Sequence, residues 1–311
     1  MVLANQSFLT DFVLLGFSTS NQLQPLLLIV FLMVYLLSLA CNILIMGIVH
    51  CDQKLCTPMY FFISAFSFLE ICYTSVTMPR LLRDLGSQDK VIPLPFCLTQ
   101  FYFLFAFGST ENFILSTMAY DRYVAICKPL RYMNIMSQNA CVFLVLGSWI
   151  GGFLAPLFPV IFLSTSLFCG SNEIDHFYCD FPPLLYHFCD VEEASRIETV
   201  FFFLACTVIL ANFAFICISY AIIIATIANI PSPRGRKKTL STCGSHFIVV
   251  FMFYGSIIFM YVRSNVRIPT KIDKVVSLLY CIMTPSLNPL IYGLRNQEMK
   301  QALKRAGNML F

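Results

Sequence analysis

The sequence predicts an all-α membrane protein: a seven-transmembrane helix bundle with a short amphipathic helix after the seventh span. Three observations carry this. Of 311 residues, 58% are hydrophobic and only 12% are charged; mean hydropathy is +0.78; and the charges cut the chain into seven long uncharged windows. Soluble domains hold roughly 25% charged residues, so the same figures exclude a soluble fold, and they exclude a disordered or coiled-coil chain as well. A net charge of +4 without one long basic run gives no footprint for nucleic acid.

The windows are 12–51, 55–79 interrupted by Glu70, 91–120 interrupted by Glu111, 140–168, 199–233, 239–262 and 275–294. Each holds a stretch that crosses about 30 Å of hydrocarbon as a helix rising ~1.5 Å per residue. The runs are continuous rather than alternating, and backbone groups in lipid must pair within their own segment, so helices are expected rather than barrel strands. Spans are placed at 26–49, 58–79, 98–120, 140–163, 198–224, 239–262 and 272–292, in a single domain with a tail at 293–311.

Basic residues fix the orientation. With the carboxy terminus inside, the inner segments sum to +9 and the outer ones to −3, while Glu70 and Glu111 lie within spans. The amino terminus is therefore expected outside, in the plasma membrane. Residues 1–24 offer no basic residue ahead of an apolar patch, so the first span is expected to serve as the targeting signal. Asn5-Gln6-Ser7 is a glycosylation acceptor on that outer side.

Most of the 14 cysteines lie in apolar stretches, where a thiol behaves as a small hydrophobe. Cys97, Cys169, Cys179 and Cys189 fall instead at the outer side, where oxidation allows three pairings. A metal site built from His176, Cys179, Asp180 and His187 competes with those pairings.

No phosphate loop, His-Glu-x-x-His, Gly-x-Ser-x-Gly or potassium-filter motif is present, so the chain is not read as an enzyme. The informative polar residues are in the membrane. A charge there costs at least ~2.5 kcal/mol, and Glu70 and Glu111 sit at comparable depth in adjacent spans. They form a neutral hydrogen-bonded pair, a cation-linked switch with the amides of Asn42 or Asn288, or a transporter's proton relay. Asp121-Arg122 lies about 15 Å below Glu111 at the inner end of the third span. It is an interfacial anchor or an arginine that helix movement releases. Asn288-Pro289-Leu290-Ile291-Tyr292 supplies a flexible point and two polar groups near the inner end of the seventh span. Gly147-Ser148-Trp149-Ile150-Gly151 fits a small-residue packing face inside the bundle.

Five motifs in order resemble the olfactory receptors, odorant-sensing members of the rhodopsin-like G protein-coupled receptors. They are Pro58-Met59-Tyr60-Phe61-Phe62, Met118 through Cys127, Ser219-Tyr220, Lys238 through His246, and Pro285 through Tyr292. The resemblance implies that Asp121, Arg122 and Tyr123 couple to a G protein, with Tyr220, Asn288, Pro289 and Tyr292 as switch residues. It implies that Glu70, Glu111 and Asn288 form a polar cluster able to take a sodium ion, no other cofactor being expected. It pairs Cys97 with Cys179 and Cys169 with Cys189. Departures from the family pattern are Cys41 before Asn42, Glu70 in place of Asp, and the absence of any cysteine after the seventh span, which removes palmitoylation there.

Family position places a small volatile odorant near Leu104, Phe105, Gly108, Ser109, Asn112, Leu204, Ala205, Val208, Tyr254, Ile257, Ile258, Tyr261, Leu278 and Cys281. Residues 104, 105, 108, 109 and 112 share one helical face. No acid lies between Cys97 and Ser109, so a neutral ligand oriented by Ser109, Asn112 or Tyr261 is expected. The implied partners are a heterotrimeric, stimulatory olfactory-type G protein and membrane lipid, which Arg234-Gly235-Arg236-Lys237-Lys238 would face.

Overall fold

The computed structural model describes residues 8–17, 23–229, 232–262, 271–295 and 297–310. It is mostly helical. Helices α1 (Gln24–Cys51), α2 (Pro58–Gly86), α3 (Leu94–Cys127), α4 (Gln138–Thr165) and α5 (Val191–Ala228) follow in order. Next come α6 (Pro233–Tyr261), then α7 at 271–295, and α8 (Gln297–Leu310). Four of these, α1, α2, α4 and α5, are long and apolar enough to cross a membrane; α6 has a shorter apolar part, His246–Tyr261. Helix α3 has the length, 34 residues, but carries Gln100, Thr110, Glu111, Asn112, Ser116 and Asp121 buried along it. Its polar groups point into protein, which is where a membrane helix keeps them.

The sequence punctuates these helices as expected. Proline stands in the first turn of α1, α2 and α3, where its missing N–H costs nothing. Asp190 caps α5 by accepting from the N–H groups of Glu192 (2.8 Å) and Glu193 (3.3 Å). Apolar side chains such as Ile29, Met33, Leu37, Phe143, Ile150, Phe203 and Ile218 stay exposed on α1, α4 and α5. Such faces belong against lipid, which is as apolar as they are.

Helix α3 is the hub, packed against α2, α4, α5 and α6. Its contact with α4 is close where Gly152 meets Thr110, while Trp149 sits among Phe68, Phe107 and Phe153. The expected small-residue face is thus shifted by one position: Gly147 meets open space and Ile150 is exposed.

Two features differ from an all-helical reading. Residues outside the helices form a three-stranded sheet, in which β1 (Asp11–Leu14) lies between β2 (Val91–Pro93), antiparallel, and β3 (Glu173–Ile174), parallel. Phe12 and Leu14 are fully buried under it. Helix α7 is not regular: Lys271–Leu278 passes into a π-helical segment, Leu279–Met283, before Thr284–Arg295. At the Asp52 end of α1, the amphipathic α8 buries Met299 and Ala302. It is tied to the bundle by Tyr60, which donates to Glu298 (2.8 Å), and by Arg305, which donates twice to Asp52 (3.0 and 2.6 Å). Those Arg305 hydrogen bonds hold the Asp52 carboxyl below its usual range.

Candidate functional site

Both disulfides implied by the resemblance are formed, Cys97–Cys179 and Cys169–Cys189. The first fastens the outer loop to the start of α3, and the loop then folds inward over the bundle. Because Cys179 is in a disulfide, it offers no thiolate to the set His176, Asp180 and His187, and among the described residues no three His, Cys, Asp or Glu side chains are grouped as for a metal ion. Burial pushes both imidazoles down, His176 to about 3.

Beneath this loop lies a cavity of about 110 Å³. Its wall includes Leu104, Phe105, Gly108, Ser109 and Asn112 from α3, Leu204, Ala205 and Val208 from α5, and Ile257 and Tyr261 from α6. Ten of the fourteen expected residues are therefore brought together. Tyr254, Ile258, Leu278 and Cys281 are not on the wall. Tyr254 turns to α5, its ring 5.0 Å from that of Phe213, and Phe253 and Ile257 take the cavity side of α6. In α7 the π segment advances the helical phase, so that Tyr280 reaches the cavity and Cys281 faces the Tyr73 hydroxyl at 3.5 Å.

Residues that the sequence reading missed complete the wall: Tyr73, Ala155, Pro156, Pro159, Phe201, Ile209, Phe253 and Tyr280. Pro156 was the available signal, since a proline pair spaced by three inside an apolar span marks a break, and α4 is interrupted there.

Asp180 closes the outer end. It is 1% exposed and accepts from Tyr178 (3.3 Å), Tyr261 (3.3 Å) and the Phe181 N–H (2.8 Å). Tyr280 lies 2.7 Å from the Tyr261 oxygen and 3.1 Å from that of Tyr178. Burial pushes Asp180 up to about 6.

Midway through the bundle, the Asn288 amide donates to Glu70, and Asn42 donates to the Ser38 carbonyl (3.0 Å). Glu70 Oε2, Glu111 Oε1, Asn42 Oδ1 and Asn288 Oδ1 are buried without a hydrogen-bond partner among the described residues. Such orphaned oxygens are uncommon and costly.

At the inner end, Arg122 turns onto Asp121, with Nε at 3.0 Å and Nη2 closer still, and Tyr132 donates to the other Asp121 oxygen (2.7 Å). Tyr220 meets His246 Nδ1 at 2.6 Å with the rings stacked. Tyr123 takes Lys128 over its ring. Pro289 lies inside the last turns of α7. The Tyr292 side chain, the side chains of Arg234, Lys237 and Lys238, and Asn5 lie outside the described residues.

An apolar cavity under a disulfide-tethered loop, within a bundle of long apolar helices, is the arrangement of a membrane protein. A sequence profile described as Olfactory receptor matches residues 31–308. Human olfactory receptor 11G2 is 46% identical over 302 residues, 97% of this chain and 87% of its own length. Human olfactory receptor 6C4 is 43% identical, covering 96% of both chains, and rat olfactory receptor 1468 is 43% identical, covering 97% of this chain and 95% of its own. The chain belongs to the olfactory receptor family, whose members are receptors and not enzymes.

Proposed function

We propose that this chain is an odorant receptor of the plasma membrane, a single domain of seven spanning helices with its amino terminus outside, glycosylated at Asn5. It binds a small, mainly apolar volatile in the cavity between α3, α5, α6 and α7 and activates a stimulatory olfactory-type G protein, raising cyclic AMP. The observation that carries the reading is the joint arrangement on α3, where cavity-lining residues and Asp121-Arg122 share one rigid helix.

The working principle is population shift: an odorant moves the equilibrium only by its differential affinity for the two states. In the present arrangement Arg122 is occupied by Asp121, so activation requires its release toward the G protein. The orphaned oxygens of Glu70, Glu111, Asn42 and Asn288 are of the kind that a hard monovalent cation such as sodium takes as ligands, and a bound ion would stabilise the present arrangement.

The test is cyclic AMP in cells expressing the chain with an olfactory-type G protein, challenged with a broad panel of volatiles while surface level is recorded. A dose-dependent rise that Arg122→Ala removes at equal surface level is expected. Normal signalling from Arg122→Ala refutes the coupling role.

A further inference from the structure

We propose that Asp180 sets the hydrogen-bond polarity of the odorant cavity, so that the cavity selects ligands carrying a hydroxyl donor, alcohols and phenols, over the aldehyde or ether of the same skeleton. The inference rests on the cavity being the odorant site.

A carboxylate accepts and cannot donate. Tyr178 and Tyr261 both point their hydroxyls at Asp180, so each spends its single proton there, and charge-assisted bonds of this kind outcompete neutral ones. Tyr280 has one proton left to place and two oxygens in reach, that of Tyr261 at 2.7 Å and that of Tyr178 at 3.1 Å. All three tyrosyl protons are thereby committed, and what Tyr261 and Tyr280 still offer to the cavity they line is oxygen lone pairs.

Deeper in the wall, one Asn112 amide N–H is committed to the Gly108 carbonyl (3.0 Å) and the second stays free to donate, so Asn112 does not set the polarity. Tyr73 is engaged with Cys281. Ser109 can turn its hydroxyl either way, so it does not discriminate. At the Tyr261–Tyr280 end of the cavity a ligand hydroxyl therefore finds acceptors waiting, whereas an aldehyde or ether oxygen there meets lone pair against lone pair.

Asp180 touches no ligand itself. It is a positioning residue that acts through Tyr261 and Tyr280, and Asp180→Asn is the diagnostic change, because an amide of the same shape can donate as well as accept and returns a tyrosyl proton to the cavity.

The experiment uses the full chain and a series of primary alcohols of six to ten carbons, each matched with its aldehyde and methyl ether. Two readouts run in parallel, cyclic AMP in cells and ligand-induced thermal stabilisation of the purified receptor. In the unmodified chain the alcohol is expected to act at about tenfold lower concentration than its partners, the effect of one net hydrogen bond. Asp180→Asn is expected to bring that ratio to unity or below, and Tyr280→Phe, which keeps the ring and removes the oxygen, to reduce it without inverting it. A ratio equal in all three chains, or an unmodified chain preferring aldehydes, overturns the proposal. Thermal stabilisation by alcohols without cyclic AMP leaves the selectivity standing and overturns the signalling reading instead; no stabilisation by any of the series overturns both.

Discussion

Gly152 gives the sharpest test of how α4 is seated on α3. A methyl group at its Cβ position would stand 2.0 Å from Thr110 Oγ1, 2.6 Å from Thr110 N and 2.7 Å from Thr110 Cα. The first contact could be relieved by rotating Thr110, at the loss of its hydrogen bond to the Ala106 carbonyl (2.8 Å). The other two are backbone and cannot move without α3. Restoring a normal separation of about 3.5 Å requires the helices to part by about 1 Å. Overpacking of this kind costs about 1–3 kcal/mol, against which alanine's better helix propensity returns about 1 kcal/mol. The same change at Gly147 meets nothing within 4 Å, and at Gly151 it meets the edge of the Phe113 ring at 3.2 Å, which can swing aside. Surface level in cells and unfolding temperature in detergent should therefore rank Gly147→Ala at or above the unmodified chain, Gly151→Ala near it and Gly152→Ala well below it. Gly152→Ala matching Gly147→Ala in both assays would refute the close α3–α4 contact.

Cys97→Ser opens a tie spanning 82 residues, a loss of about 4 kcal/mol on loop entropy, and should abolish surface delivery; Cys169→Ser opens only 20 residues and should cost less, about 3 kcal/mol, by the same surface assay. Replacing sodium with a large organic cation should lower the unfolding temperature of the purified chain by a few degrees, about 1 kcal/mol, and Glu70→Gln or Glu111→Gln should remove that difference. Acid should act at Asp180. Its folded value of about 6 lies above the ordinary one, so the stability linked to this group is present below about pH 4 and declines as pH rises through 6. The groups facing it are Tyr178 from its own loop, Tyr261 from α6, and Tyr280, Cys281 and Asp273 from α7, while His176 stays neutral throughout. Between pH 7 and pH 5 the protonated Asp180 becomes a donor, and the alcohol preference measured by thermal stabilisation should shrink in the unmodified chain and stay flat in Asp180→Asn.

What was legible in the sequence is what periodicity and charge encode. The helices begin and end near their charges and prolines, and the α3 face from Leu104 to Asn112 lines the cavity because 3.6-residue spacing fixes which side chains share a side. The failures share a cause: each depends on a local departure from that spacing. The π segment at Leu279–Met283 exchanges Tyr280 for Cys281, and the interruption at Ala155–Pro156 brings α4 to the wall. The roof over the cavity was invisible for a different reason. Asp180 sits in a loop, where no period exists, and only the Cys97–Cys179 bridge brings it over Tyr261 and Tyr280.

The two ends of the receptor are joined by the same pair of helices, and this decides where the switch must lie. Helix α3 carries Asn112 at the cavity and Arg122 ten residues on, about 15 Å away; α6 carries Tyr261 at the roof and His246 against Tyr220. A packed, fully satisfied layer between those ends would resist any change, because cores are bistable only where alternative pairings exist. The layer present there is the opposite of satisfied: Glu70, Glu111, Asn42 and Asn288 each leave a buried polar atom without a partner among the described residues. A rearrangement of the bundle that brings an N–H or O–H donor to one of these oxygens recovers part of its desolvation cost, about 1–3 kcal/mol for each group. That is the size of bias that a ligand of modest affinity can tip, and it puts the cost of switching in the middle of the bundle rather than at the odorant or at Arg122.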